Sequence, residues 1–191
     1  MFSAETLIPI ITVLAFWIER MREVAKRRNV LPGRVQEKLS FKLFMLCGLL
    51  IVFGGIAEFL WRGGVYHRPT LLTGIAITLI SFILRRRAIA TLGKFWSVHV
   101  EIKERHELVS SGPFAWMRHP VYFSMVLELV GIALMIEAWM TLALVLAIFI
   151  PTLAYRIVKE EAALSAQFGA RFIEYRRKTP MLFPAVGRRL R

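Results

Sequence analysis

The chain has 191 residues, 57% of them hydrophobic and 20% charged, whereas soluble domains average roughly 45–50% and about 25%. An aromatic content of 12% excludes a disordered tail, and the single cysteine, Cys47, excludes a disulfide-stapled secreted module. Lysine and arginine number 26 against 13 acids, all of them glutamate, for a net charge of +13. At a mean hydropathy of +0.56 that surplus reads as basic loops flanking membrane spans rather than as a nucleic-acid surface.

Five apolar stretches follow in chain order: Phe2 to Ile18, Leu43 to Trp61, Pro69 to Leu84, Val121 to Ile136 and Thr141 to Ile157. Each approaches the length of about 20 residues that a bilayer requires, with about 17 tolerated. Pro9 and Pro151 fall inside the first and last, where neighbouring helices satisfy the freed carbonyl. Glu5 precedes the first run and the basic residues follow it, which argues against a signal peptide. The alternate connections, Arg20 to Lys42, Arg85 to Arg118 and Arg156 to Arg191, hold 24 of the 26 basic residues. The expected fold is an all-α polytopic bundle of five transmembrane helices in one domain, with the amino terminus outside and the carboxyl terminus in the cytoplasm. The plasma membrane is the expected location for a prokaryotic chain of this kind. Only a few residues around Glu137 and Trp139 separate the last two runs, so these form a tight helical hairpin.

Two cytoplasmic segments are large enough to carry a site, 85–120 and 156–191. The first ends in Arg118, His119 and Pro120, and proline at the first position of a helix has no amide to lose. The unpaired amides and dipole of that helix start suit an anionic or zwitterionic ligand. In the second, Glu160, Glu161, Leu164, Phe168, Phe172 and Tyr175 recur at helical spacing until Pro180. His67, His99, His106 and His119 lack the spacing to carboxylates that bundle metal sites use, and no metal is expected. Arg85 and Arg156 stand at the cytoplasmic ends of spans, where a guanidinium fork suits a carboxylate. Arg156 and Glu160 also have the spacing of a helical ion pair. Glu58 and Glu128 lie within apolar runs and demand polar partners.

The stretch His106-Glu-Leu-Val-Ser-Ser-Gly-Pro-Phe-Ala-Trp-Met-Arg-His-Pro-Val-Tyr122 resembles the signature of the isoprenylcysteine carboxyl methyltransferase family. So does the tail carrying Arg156, Glu160, Glu161, Phe168, Gly169, Tyr175 and Pro180. The resemblance covers the carboxyl half; the first two spans match only in hydropathy. It implies an integral membrane methyltransferase that uses S-adenosylmethionine, with cytoplasmic segments holding the cofactor and a lipophilic or prenylated acceptor entering from the bilayer lipids. On this resemblance His99, His106, Glu107, Leu108, Val109, Phe114, His119, Pro120, Val121, Tyr122 and Glu161 fall on cofactor positions. Arg85, Tyr122, Arg156 and Glu161 fall on positions for substrate binding or catalysis. Eukaryotic members tend to carry glutamine in place of His99 and tyrosine in place of Phe114.

The implied reaction is methylation of the carboxylate of an isoprenylated cysteine or similar lipophilic acid. A phospholipid amine or small thiol is the alternative acceptor for the same cofactor. A noncatalytic membrane protein that binds anionic lipid or a partner through its basic loops is the alternative of another class.

Overall fold

In a computed structural model of the chain, residues 4–25, 33–37, 39–96, 100–103 and 107–183 are described. Among the described residues seven α-helices dominate: α1 (Leu7–Ala25), α2 (Leu39–Leu49), α3 (Gly55–Trp61), α4 (Arg68–Leu92), α5 (Pro120–Ile136), α6 (Trp139–Phe168) and α7 (Ala170–Lys178). A π-helical turn, Leu50–Gly54, joins α2 to α3, so that the pair forms one rod from Leu39 to Trp61. The expectation of an all-α fold meets one exception. Strands β1 (Gly33–Glu37) and β2 (Val100–Lys103) pair antiparallel, Gly33 opposite Lys103 and Glu37 opposite Val100, with a register shift between Val35 and Glu37. This ribbon ties the connection before α2 to the one before α5.

Among the described residues two helices are long and apolar enough to cross a membrane, Leu39–Trp61 and Trp139–Phe168. The apolar helix Pro120–Ile136 is shorter, at 17 residues. Neither α1 nor α4 joins them, α1 because Glu19, Arg20, Arg22 and Glu23 occupy its last two turns and α4 because Arg85, Arg86 and Arg87 interrupt it. The expectation of five spans is therefore met by this measure only in part.

The main apolar core packs α5 against α2, the π-helical turn and α6, and α4 lies close along the side of α5. Glycines permit the approach: a Cβ on Gly74 would stand 2.6 Å from the Gly131 carbonyl oxygen, and one on Gly131 would stand 2.3 Å from Thr78 Oγ1. The Ser81 hydroxyl donates to the Ser124 carbonyl at 2.7 Å between the same helices. Backbone cannot yield as a side-chain tip does, so Gly74→Ala is expected to cost about 1–3 kcal/mol, the usual penalty of overpacking. Thermal unfolding of the purified variant checks this, and an unchanged midpoint would contradict the close contact.

The expected hairpin between the last two runs is present, with Glu137 at φ 51° ending α5 and α6 beginning at Trp139. Glu58 accepts from the backbone amides of Met140 at 3.1 Å and Thr141 at 2.7 Å, so this acid caps the start of α6. Glu137 accepts from the His67 amide at 3.1 Å and Thr70 Oγ1 at 2.6 Å, and lies 2.7 Å from His67 Nδ1. Burial raises its carboxyl, but these hydrogen bonds prevail and hold it below the usual carboxylate range.

Candidate active site

The α5 helix starts at Pro120, as the sequence suggests, and the residues before it are clamped from outside. The backbone amides of Arg118 and His119 donate to the carbonyls of Pro180 at 2.8 Å and Met181 at 3.0 Å. The segment after α7 thus holds the residues that enter α5. Arg118 Nη1 donates to the Arg176 carbonyl at 3.1 Å and to the Thr179 carbonyl, which ties the end of α7 to the same point. The Tyr175 hydroxyl donates to the Phe114 carbonyl at 2.6 Å. Burial pushes that phenol well above its ordinary pKa, the Arg118 charge lowering it and the Glu161 charge raising it, so Tyr175 remains a donor.

Glu161 is the hub of this clamp. One oxygen, Oε1, accepts from Arg118 Nε at 2.8 Å and lies 3.0 Å from His119 Nε2. Arg176 Nε approaches Oε2 at 3.7 Å. His119 and Glu161 are both buried, which makes this a desolvated charge network rather than a surface pair. On its other side the His119 ring stacks on Tyr122 with centroids 5.5 Å apart.

Tyr122 leads to the second half of the site. Its hydroxyl donates to a Glu160 side-chain oxygen and accepts from Arg156 Nε at 2.8 Å. Arg156 Nη1 donates to Ser40 Oγ at 2.7 Å, and the guanidinium lies 5.7 Å from the Phe44 ring centroid. The expected ion pair of Arg156 with Glu160 is replaced by this bridge, since the Tyr122 hydroxyl stands between the two side chains.

One cavity of about 220 Å³ runs along these groups. Of the positions singled out in the sequence, Glu107, Leu108, Val109, Phe114, His119, Pro120, Val121, Tyr122 and Arg156 line it. Arg85 and Glu161 are not on its wall; Glu161 stands behind Arg118 and His119, which are. His99 and His106 lie outside the described residues.

The sequence reading put Arg85 and Arg156 at span ends; both close their apolar stretches, but neither ends its helix. Arg85 is fully buried well inside α4, which continues to Leu92, and Arg156 lies mid-way along α6 with the helix running to Phe168. Arg85 Nε donates to Glu23 Oε2 at 2.9 Å and Nη1 to Glu128 Oε2 at 2.5 Å. The partner that Glu128 demanded is therefore Arg85. Glu160, Arg20 and Phe44 also face the cavity, and sequence reasoning gave them no role there. For Glu160 a signal existed, its place beside Glu161 on a helix heading toward Tyr122.

The wall divides by chemistry. Leu108, Val109 and Phe114 form an apolar and aromatic surface beside the start of α5, whose first amides have no partner within the helix. A flat heterocycle fits the former and a carboxylate the latter. Farther along, Trp17, Met45, Ile51, Leu129 and Phe149 make an apolar extension between α1, α2, α5 and α6.

The sequence model of the isoprenylcysteine carboxyl methyltransferase (ICMT) family matches residues 74–166. The protein-S-isoprenylcysteine O-methyltransferase B of Arabidopsis thaliana is 29% identical over 151 residues, 78% of this chain and 77% of the relative. This chain belongs to the ICMT family. A nickel-cobalt-cadmium resistance protein of Alcaligenes xylosoxydans xylosoxydans is 30% identical over 115 residues, 60% of this chain. The alignment spans 54% of that relative, and about half the length of others like it. The solved structure of the eukaryotic intramembrane Ras methyltransferase ICMT shares the fold, with a TM-score of 0.51 and 18% identity over 79% of this chain and 69% of that one. The family match begins at Gly74 and ends shortly after Glu161, so it takes in most of α4, all of α5 and the Arg118, His119 and Glu161 contacts, but not the part of the clamp that α7 and residues 179–181 supply.

Proposed function

We propose that this ICMT-family chain is a membrane methyltransferase that uses S-adenosylmethionine to esterify the carboxylate of an isoprenylated cysteine or a similar lipophilic acid. The observation that carries the reading is a single cavity in which the His119 and Arg118 clamp meets the Tyr122 and Arg156 pair beside an apolar extension. On this reading all five helical runs cross the bilayer, with the carboxyl-terminal clamp in the cytoplasm and the acceptor entering from the lipid. In a prokaryotic cell that bilayer is the plasma membrane.

Leu108, Val109 and Phe114 would bear the adenine, and the amides at the start of α5 the carboxylate of the cofactor. Its sulfonium supplies the methyl group. The chain supplies alignment and dryness, because in-line displacement depends on holding donor and acceptor together and excluding water. Arg156 orients the acceptor oxygen, Tyr122 fixes the guanidinium, and His119 with Glu161 fixes the start of α5 against the tail. Glu161 is consumed by its arginine and histidine partners, which suits an anchor rather than a base.

Purified protein incubated with methyl-labelled S-adenosylmethionine, farnesylcysteine, a phospholipid amine and a small thiol tests this. Label is expected in a base-labile ester of farnesylcysteine. Label confined to the amine or thiol would overturn the carboxylate acceptor, and no transfer to any of the three would overturn the enzymatic reading.

A further inference from the structure

Of the two adjacent glutamates on α6, only Glu160 faces the cavity. Glu161 is paired with Arg118, His119 and Arg176, whereas among the described residues no arginine or lysine lies within salt-bridge distance of Glu160. Its partner is the neutral Tyr122 hydroxyl, and that hydroxyl is also held by Arg156. A carboxylate acceptor oriented by Arg156 would therefore meet a second carboxylate across the same phenol. Before the positive sulfonium of the cofactor is present, two anions and one guanidinium leave an excess negative charge in an apolar cavity, where like charges at short range do not both ionise. The other titratable groups of the wall offer no relief. Arg20, Glu23 and Glu128 are bound to one another and to Arg85, Arg118 and His119 serve Glu161, Tyr175 is donated to the Phe114 carbonyl, and Glu107 is exposed.

We propose that Glu160 shares one proton with the acceptor, so that the lipophilic acid is bound as an acid with its proton rather than as a free anion. The inference rests on the carboxylate reading above and names the form in which the substrate is taken. The steps balance. The acid enters from the bilayer with its proton, or as an anion that draws one from water. The proton passes to a Glu160 oxygen, and the freed acceptor oxygen forms its bond to the methyl carbon as the bond from carbon to sulfur breaks. The positive charge of the sulfonium is cancelled, and the proton on Glu160 leaves to water once the neutral ester has no further use for it. A low-dielectric cavity thus never holds two carboxylates beside one arginine.

The test is a proton count on acceptor binding, which requires no turnover. Titration calorimetry of the lipid-embedded protein with N-acetylated farnesylcysteine, at one pH in buffers of different ionisation heat, reads the protons taken up. The wild type is expected to take up close to one proton per acceptor at neutral pH, and its affinity to fall about tenfold per pH unit on the alkaline side. Glu160→Gln is expected to bind the acceptor with no uptake and with an affinity nearly independent of pH. Partition of the acceptor into lipid is common to both proteins and cancels in the comparison. Binding without proton uptake by the wild type, or uptake that survives Glu160→Gln, overturns the shared proton and leaves the carboxyl acceptor standing. If the wild type binds no lipophilic acid at all, the carboxylate reading fails first and the inference with it. The wild-type count decides even where the variant does not fold.

Discussion

Replacement of Arg85 by methionine is expected to lower the stability of the protein by about 3–5 kcal/mol, the cost of breaking a buried charge network by removing one partner. Arg85 is 0% exposed and holds Glu23 and Glu128 in separate hydrogen bonds, with its guanidinium 4.7 Å from the Phe82 ring centroid. Without it, two buried glutamates are left to Arg20, which reaches Glu23 at 2.9 Å but Glu128 only at 3.8 Å. Methionine fills the volume, so the loss reports charge rather than a cavity. For a chain of this size the shift in Tm is roughly 6–20 °C, measured by thermal unfolding in detergent or nanodiscs. Arg85→Lys keeps the charge but not the planar fork, and an intermediate loss is expected. The family resemblance gives Arg85 a substrate role, and the same experiment separates the two. A variant that melts normally yet loses turnover would make Arg85 a ligand of the acceptor instead of the keystone joining α1, α4 and α5.

Local pattern made part of this molecule legible. The proline after His119 starts α5, the short polar break at Glu137 makes the hairpin, and Pro180 ends the region of α7; each is decided by neighbours in sequence. What local pattern does not carry is which distant charges meet. Arg85 appeared to stand at the end of an apolar run because Arg86 and Arg87 follow it, but helical periodicity turns those two outward while Arg85 faces Glu23 and Glu128. Arg156 likewise closes an apolar stretch without ending its helix. Lys159, Glu160, Glu161, Ala162, Ala163 and Leu164 are strong helix formers, so α6 runs past the end of its apolar stretch and carries both glutamates to the site. The ribbon of β1 and β2 was invisible because its strands are short, mixed in polarity and distant in sequence. The residues around His119 were found through the motif, whereas Glu160 needed the position of Tyr122 in space.

Arg156→Lys is expected to reduce kcat/KM for a lipophilic carboxylic acid by roughly 100-fold, about 2.7 kcal/mol. Two hydrogen bonds fix this guanidinium, Nε to the Tyr122 hydroxyl at 2.8 Å and Nη1 to Ser40 Oγ at 2.7 Å, with Phe44 against its face. A lysine ammonium replaces one of those bonds at most and has no planar face to lay on an aromatic ring. The acceptor oxygen would then be held by a mobile point charge, and misalignment of an in-line displacement by even about 1 Å is costly. Arg156 does not belong to the Glu161 clamp, so affinity for S-adenosylhomocysteine should change less than about twofold, as measured by calorimetry. The split between the two measurements is the informative result. A variant weak in both would mean that Arg156 supports the cavity as a whole. Normal turnover would mean that the Tyr122 and Ser40 contacts only hold α6 against α2 and α5. Tyr122→Phe separates these further: it removes the bridge to Glu160 and one of the two hydrogen bonds on the guanidinium but keeps the planar fork and its Ser40 contact, so it should slow turnover less than Arg156→Lys does. Should the phenylalanine variant be the slower of the two, the phenol rather than the arginine is the group that meets the acceptor.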